Sequence, residues 1–458
     1  MDRYVIVGNG VAGVKAAEVI RQRDPRSSIT MISNEKYPFY FRPQLASYAA
    51  GKITDAQITA RKEAFYQRNK IELIIGKSVT KVSPGERQVT LGDGSAFPYD
   101  ALLLATGCSL QTLDFPGADK TDDIVKLMTL EDAKRLRQKM KAGKRAAVVG
   151  DGFLTTALID ALLGGGMEVV YLIPEDRFWP DVMDADASRI MEVRIQERGV
   201  EVVKNAQVKE VVVKGGVMAG LRLTDGKLVR CELAGLKGAM RPNVAFLEGN
   251  GVRVESGIVV DERMRTSVKD VYAAGDVVQL AEMPPELPLI NVRWLKAWRQ
   301  GQVAGANMAG DKMEYEEYAC FSSTQVAGVD LVAIGVSNPP DGGYKIMRGE
   351  YPHPELDIYK KLVLKDDRVV GALLIGDVAE ASEVHRAIRQ GKKIDEMDET
   401  LLRQMFDLSF PLTRYQGIVC PVCKLVMSIS PDMKLGDTIT CPSCGIEIKI
   451  TRELLARK

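Results

Sequence analysis

Short apolar runs recur along the chain, each closed by glycine or by a turn and followed by a different periodicity. Tyr4-Val5-Ile6-Val7 predicts a buried strand, and Val14-Lys15-Ala16-Ala17-Glu18-Val19-Ile20 has helical spacing. A second strand is predicted from Ser28 to Ser33. The succession repeats further on, with a strand from Lys144 to Val149 and another from Glu168 to Ile173. From about Tyr315 to Leu412 the pattern changes. Tyr359 to Lys365 alternates as a strand, Asp366-Asp367-Arg368 reads as a hairpin turn, and Val369 to Gly376 returns as its partner. A helix is expected from about Ala379 to Arg389. Strands alternating with helices predict an α/β protein with parallel sheets, followed by an α+β region.

The glycines between these elements carry the first chemistry. Gly8-Asn9-Gly10-Val11-Ala12-Gly13 follows the first strand and opens the first helix. In that context Gly8 allows the tight turn, Gly10 removes a side chain that would block a pyrophosphate, and Gly13 lets helix and strand pack closely. The phosphates then meet free N–H groups at a helix N-terminus. Glu35, just past the second strand, stands where such folds grip ribose hydroxyls. Gly150-Asp151-Gly152 repeats the loop after the strand ending at Val149, and Ala273-Ala274-Gly275-Asp276 forms a third motif. Two dinucleotide loops on one chain suit electron transfer between two cofactors.

Composition narrows the class. The 458 residues carry 62 basic and 61 acidic side chains, so charge gives no case for nucleic acid or a membrane surface. No run of 18 apolar residues exists, so no transmembrane helix is expected. The first strand begins too early for a signal peptide, and the expected location is cytoplasmic. Only two histidines occur, His353 and His385, which disfavours histidine-based triads. Of the seven cysteines, Cys108, Cys231 and Cys320 are scattered, and this is no secreted disulfide framework.

With these motifs the chain resembles the FAD-dependent pyridine nucleotide-disulfide oxidoreductases, in their NADH:rubredoxin and ferredoxin reductase-like branch. Pro38 to Leu45, with its Arg42-Pro43 pair, is similar to the segment that approaches FAD in that family. Tyr99 to Gly107, ending Ala105-Thr106-Gly107, and Gly238 to Asn243 resemble its two interdomain crossings. The helical stretch from about Trp294 to Met308 resembles the one whose N-terminus faces the flavin. The resemblance implies a flavin-nucleotide site made by Gly8, Asn9, Gly10, Val11, Ala12, Gly13, Glu35, Arg42, Pro43, Val79, Ala105, Thr106, Gly107, Gly275 and Asp276. It implies hydride transfer from NAD(P)H to FAD and onward delivery of electrons. It also implies two Rossmann-like domains, an FAD domain over residues 1–115 plus 239–314 and an NAD(P)-type domain over 116–238. An α+β C-terminal domain over 315–412 resembles the part that caps the flavin and often makes a dimer contact, so a homodimer or larger complex is expected.

Departures from the family pattern direct the functional reading. Disulfide reductases carry cysteine beside the flavin, but residues 37–51 contain none, so no thiol relay is expected and no catalytic side chain is assigned. The pattern favours an iron–sulfur or rubredoxin-type protein, or a partner subunit, as electron acceptor. Cys108 is expected to be a buried small hydrophobe. In the second loop the third glycine is replaced by Thr155, the usual glutamate by Ala157 and the ribose acid by Ile173, with Glu175 arriving two residues late. The candidate NAD(H) residues are therefore Gly150, Gly152, Thr155 and Glu175, and the site either binds NAD(H), binds it weakly or serves as scaffold. Asp176 and Glu175 would repel the 2′-phosphate of NADPH. Other readings stay open: a flavin-bearing subunit of a larger redox complex with a degenerate NAD site, or an NADH oxidase.

Residues 413–458 form a separate four-cysteine module. Cys420, Cys423, Cys441 and Cys444 have the spacing C-x2-C-x17-C-x2-C of paired metal knuckles. The module reads as a zinc ribbon or a rubredoxin-like iron site. No aromatic residue follows Tyr415, which favours zinc over iron. Pro284-Pro285-Glu286-Leu287-Pro288 is expected to be a surface loop near the flavin.

Overall fold

The computed structural model describes residues 2–112, 114–236, 238–281, 294–316, 321–340, 342–349 and 358–406, then 417–420, 426–428, 433–434, 436–441 and 446–450. The chain divides into two compact units. The first comprises Met1–Arg42, Thr54–Gln111 and Ala239–Glu317, and the second comprises Pro43–Ile53, Thr112–Gly238 and Tyr318–Lys458.

The first unit is built on a five-stranded parallel sheet in the order Val271–Ala273, Ala101–Leu104, Arg3–Val7, Ser28–Ser33, Ile71–Ile75. Leu102, Leu103 and Leu104 are fully buried, as a parallel strand covered on both faces requires. The helix Val11–Arg23 packs against the helix Trp294–Met308. Their backbones touch because Gly301 and Gly305 face Ala12 and Ala16. A Cβ on Gly301 would lie 2.2 Å from Ala12 O, and one on Gly305 would lie 2.6 Å from Ala16 O. The Trp294–Met308 helix matches its predicted span, whereas the Pro284–Pro288 loop before it lies outside the described residues. The strand Cys108–Thr112, just past the first predicted crossing, pairs with Gly238–Pro242 on the second.

The second unit contains another five-stranded parallel sheet, in the order Glu201–Val203, Glu168–Leu172, Arg145–Val149, Leu233–Gly235, Ile124–Val125. Helices Gly152–Gly164 and Ala185–Glu197 accompany it. Both parallel sheets thus carry the Rossmann-like arrangement expected of them. The same unit holds an antiparallel sheet in the order Phe321–Val326, Val329–Gly335, Arg368–Ile375, Tyr359–Lys365, Lys345–Arg348. Its predicted hairpin turns on two residues, not three. Asp366 and Asp367 both have positive φ, 49° and 59°, which is the two-residue turn that matches strand twist, and Arg368 already belongs to the strand. The helix expected from Ala379 begins at Ala381, because Asp377 Oδ1 accepts the Ala379 N–H and holds a preceding turn.

Two lysines are buried in that sheet. Lys360 and Lys361 are adjacent, so they leave the strand on opposite faces, and each is 1% exposed. Lys360 Nζ donates to Glu380 at 2.8 Å and to Asp377 at 2.7 Å. Lys361 Nζ donates to Asp184 at 2.6 Å, the residue that caps the Ala185–Glu197 helix through Ala187 N.

Near the C-terminus the described residues form two hairpins, Gly417–Val419 with Val426–Ser428 and Thr438–Thr440 with Glu447–Lys449. Cys420 and Cys441 directly follow the first strand of each and are fully buried. Cys423 and Cys444 lie outside the described residues, and no metal-binding cluster occurs among the described ones. No described helix is long and apolar enough to cross a membrane.

Candidate functional site

The first glycine loop has the close contacts its sequence demands. Gly8 has φ +121°, and a Cβ there would lie 2.1 Å from Ala105 O. A Cβ on Gly13 would lie 2.1 Å from Gly8 O and 3.2 Å from Ile6 Cγ2, so strand, loop and helix meet only because both positions are bare. Gly10 differs, since a Cβ there meets nothing within 4 Å among the described residues. That open space lies at the N-terminus of the Val11–Arg23 helix, which has no side-chain cap and no acidic residue in its first turn. Free N–H groups and the helix dipole therefore favour an anion beside Gly10. Val11 and Ala12 begin this helix, and Ala12 supports Gly275, whose Cβ would sit 3.2 Å from Ala12 Cβ. Asn9 Oδ1 accepts from Tyr66 Oη at 2.9 Å, while its Nδ2 is buried without a partner among the described residues.

Glu35 follows the Ser28–Ser33 strand and is braced on both oxygens. Tyr40 Oη donates to Oε2 at 2.6 Å, and the Arg42 guanidinium pairs with Oε1. Arg42 also lies over the Tyr40 ring, 5.0 Å from its centroid. Burial works to lower the Arg42 pKa, but Tyr40, Glu35 and Asp276 outweigh it and hold the pKa above its ordinary value, so the cation is permanent. Pro43 opens the stretch that belongs to the second unit. Val79 begins the strand Val79–Ser83 of a small antiparallel sheet and packs on the first unit's core.

The crossing segments are locked by a residue that only its motif hinted at. Thr106 Oγ1 donates to Asn243 O and Asn243 Nδ2 donates to Thr106 O, both at 2.9 Å. Gly107 follows with φ +66°, and its carbonyl accepts from Asn243 N at 3.0 Å. Gly275 N donates to Oε1 of the fully buried Gln300 at 2.8 Å, which ties the third motif to the Trp294–Met308 helix. The bracing roles of Tyr40, Tyr66 and Gln300 have no signal in the sequence, because no spacing rule links them to the loops they brace. Cys108, half-buried, donates through Sγ to Asp276 O at 2.8 Å. Burial and then Asp276 push its thiol pKa up to about 12, so at neutral pH it stays protonated and is no nucleophile.

These residues fit FAD. The open cradle at Gly10 suits its pyrophosphate, the Asn9 Nδ2 donor awaits an acceptor, and a fixed cation lies near Asp276.

The second loop is built differently. Gly150 has φ +121° like Gly8, but Gly152 has φ +81° where Gly10 has −91°. Thr155, at the third glycine position, is buried, and its hydroxyl turns back to Asp151 O at 2.8 Å. Ile173 is fully buried, so the usual acid position offers nothing to a ribose. Glu175 lies half-buried in the bend beyond, its carbonyl accepting from Asn205 N at 2.9 Å. Arg177 is engaged by Asp176 at 3.1 Å. Trp179, unmarked by any motif, stacks edge-on against Phe153 with centroids 4.7 Å apart.

Residues 2–305 match the pyridine nucleotide-disulphide oxidoreductase family, and residues 322–392 match the rubredoxin NAD+ reductase C-terminal domain. The chain is 28% identical over 399 residues to an NADH-rubredoxin oxidoreductase of Clostridium acetobutylicum, covering 86% of this chain and 96% of that one. It is 29% identical over 407 residues to the NAD(P)H nitrite reductase of Bacillus subtilis, covering 88% of this chain but only 49%, about half, of that protein. Among solved structures, the reductase of a covalent putidaredoxin reductase–putidaredoxin complex superimposes with a TM-score of 0.80 at 26% identity, covering 90% of this chain and 97% of that chain.

Proposed function

This chain belongs to the pyridine nucleotide-disulphide oxidoreductase family, and we propose that it oxidises NADH through bound FAD and passes the electrons to a small rubredoxin- or ferredoxin-type protein or to an iron–sulfur partner subunit. The reading is carried by a flavin-type cradle with no thiol relay. Residues 37–51 contain no cysteine, and Cys108, whose thiol donates to the Asp276 carbonyl, is held protonated. Relatives whose names specify rubredoxin or putidaredoxin reduction support the acceptor class.

In this reading the helix N-terminus at Gly10 holds the pyrophosphate, and Asn9 Nδ2 donates a hydrogen bond to it. Asp276 binds ribityl hydroxyls, and Arg42 keeps a fixed positive charge nearby. FAD, when bound, supplies the conversion of a two-electron hydride into single electrons. NADH is favoured over NADPH because Arg177 is already neutralised by Asp176 and Glu175 adds a further negative charge. A reducing compartment, the cytoplasm, suits the unbridged thiols of Cys108 and Cys231.

An anaerobic titration of the FAD-loaded protein with NADH tests this reading. Flavin absorption should bleach at about one equivalent and return when oxidised rubredoxin or ferredoxin is added. Bleaching by dithionite but never by NADH would favour a second reading, a flavin-bearing subunit whose middle fold is scaffold. Thr155, Ile173 and the aromatic cover at Gly152 are the observations on its side.

The same proposal assigns Cys420, Cys423, Cys441 and Cys444 to one tetrahedral metal site. Its support is their spacing, the two short hairpins, and the full burial of Cys420 and Cys441. Zinc is favoured because no aromatic core accompanies the site after Tyr415. So small a module needs its metal to fold. Elemental analysis should find about one zinc per chain, and a chelator should unfold this module while the flavin remains bound. Stoichiometric iron with thiolate-to-iron colour would replace zinc by an internal redox centre.

A further inference from the structure

We propose that the indole of Trp179 is a resident plug on the second glycine loop, so that a nicotinamide dinucleotide binds there only when the indole leaves Gly152. The proposal rests on the reading of the middle fold as an NADH site. The two loops differ where main chain should meet pyrophosphate. Among the described residues, a Cβ on Gly10 meets nothing within 4 Å, but one on Gly152 meets Cε2 and Cζ2 of Trp179 at 3.9 Å. The indole also stands at 87° against the Phe153 ring. It therefore lies against the first two residues of the Gly152–Gly164 helix, the end where free N–H groups would receive an anion.

The plug is held in place from outside the loop. Trp179 has φ +49°, a left-handed conformation that a bulky residue keeps only when its surroundings impose it. Val182 N and Met183 N both donate to Trp179 O at 3.0 Å. The C-terminal sheet and the turn after its Val329–Gly335 strand then grip the strap that follows. Asn338 Nδ2 donates to Pro180 O at 2.6 Å and to Met183 O at 3.1 Å, and Ser337 Oγ donates to Val182 O at 3.0 Å. Tyr359 and Lys361 both hold Asp184 at 2.6 Å. Trp179 is only 8% exposed between these partners. Asn338 acts as a positioning residue, setting how readily the strap lets the indole move.

A site whose competent form is a minor fraction binds its ligand more weakly by that fraction. Removing the plug should therefore tighten binding, the opposite of what lost packing would do. The test is calorimetric titration of NAD+, which binds without reacting, into the FAD-loaded full chain. Trp179→Ala and Trp179→Leu should bind NAD+ at least about tenfold more tightly than the parent while melting at lower temperature. Asn338→Ala should shift affinity the same way by a smaller factor. If the parent binds NAD+ and neither Trp179 variant binds it more tightly, the plug is refuted and the NADH reading stands. If no protein in the series binds NAD+, both are refuted.

Discussion

Gly10→Val is expected to give a folded protein that purifies without flavin, whereas Gly13→Val is expected not to fold. The two glycines lie three residues apart in one motif but face different surroundings. Among the described residues, a Cβ on Gly10 meets nothing within 4 Å, so a valine there is expected to be tolerated until a pyrophosphate arrives. It then lifts the phosphates off the helix N-terminus. Losing two charge-assisted hydrogen bonds, at about 2 kcal/mol each, weakens flavin binding about a thousandfold. At Gly13 the obstacle is the protein's own backbone, Gly8 O at 2.1 Å, which has nowhere to go. Overpacking of that kind costs about 3 kcal/mol or more and separates the helix from its sheet. The ratio of flavin absorption to protein, read beside circular-dichroism melting, checks both. Stoichiometric flavin on Gly10→Val would show that the cradle is elsewhere.

Lys360→Met should be the most destabilising single change in the C-terminal sheet, by about 3–5 kcal/mol. The ammonium is the common partner of Asp377 and Glu380, at 2.7 and 2.8 Å. Removing it leaves the buried Glu380 carboxylate facing Asp377 with no cation between them. Burial already raises the Glu380 pKa, with Lys360 the main opposing influence, so the variant should raise it further. A group whose folded pKa exceeds its unfolded value loses stability as pH rises through the folded value. The deficit of Lys360→Met should therefore be larger at pH 7.5 than at pH 5. Denaturant midpoints at the two pH values measure this, and a deficit that does not change with pH would mean that Glu380 is not the group left stranded. Lys360→Met combined with Glu380→Leu should recover much of the loss, since a buried ion pair is costlier to break than to replace.

The parts of this molecule that were legible in the sequence are those governed by local geometry. The strand from Ser28 to Ser33, the Trp294–Met308 helix and the first glycine loop each follow from spacing along a few residues. Arg368 was misassigned to the turn by one position, because three polar residues in a row do not reveal which two take positive φ. The buried lysines could not be read at all. Tyr359-Lys360-Lys361 looks like a solvated edge until Asp184 arrives from one segment and Asp377 and Glu380 from another. Trp179 is the same case at the second loop, since 26 positions separate it from Phe153 and only the fold brings their rings together.

The pairing of Gly301 and Gly305 with Ala12 and Ala16 also has a consequence for how the chain is made. The N-terminal helix emerges from the ribosome first, yet its partner helix begins only at Trp294. The edge strand Val271–Ala273 of the same sheet is equally late. At ordinary elongation rates the delay is on the order of tens of seconds, during which the middle Rossmann-like fold is synthesised whole. The inserted fold can therefore condense while the first one is still incomplete. Until residue 308 has cleared the exit tunnel, the flavin half is a nascent chain with an uncovered alanine face, which chaperones would be the first to meet.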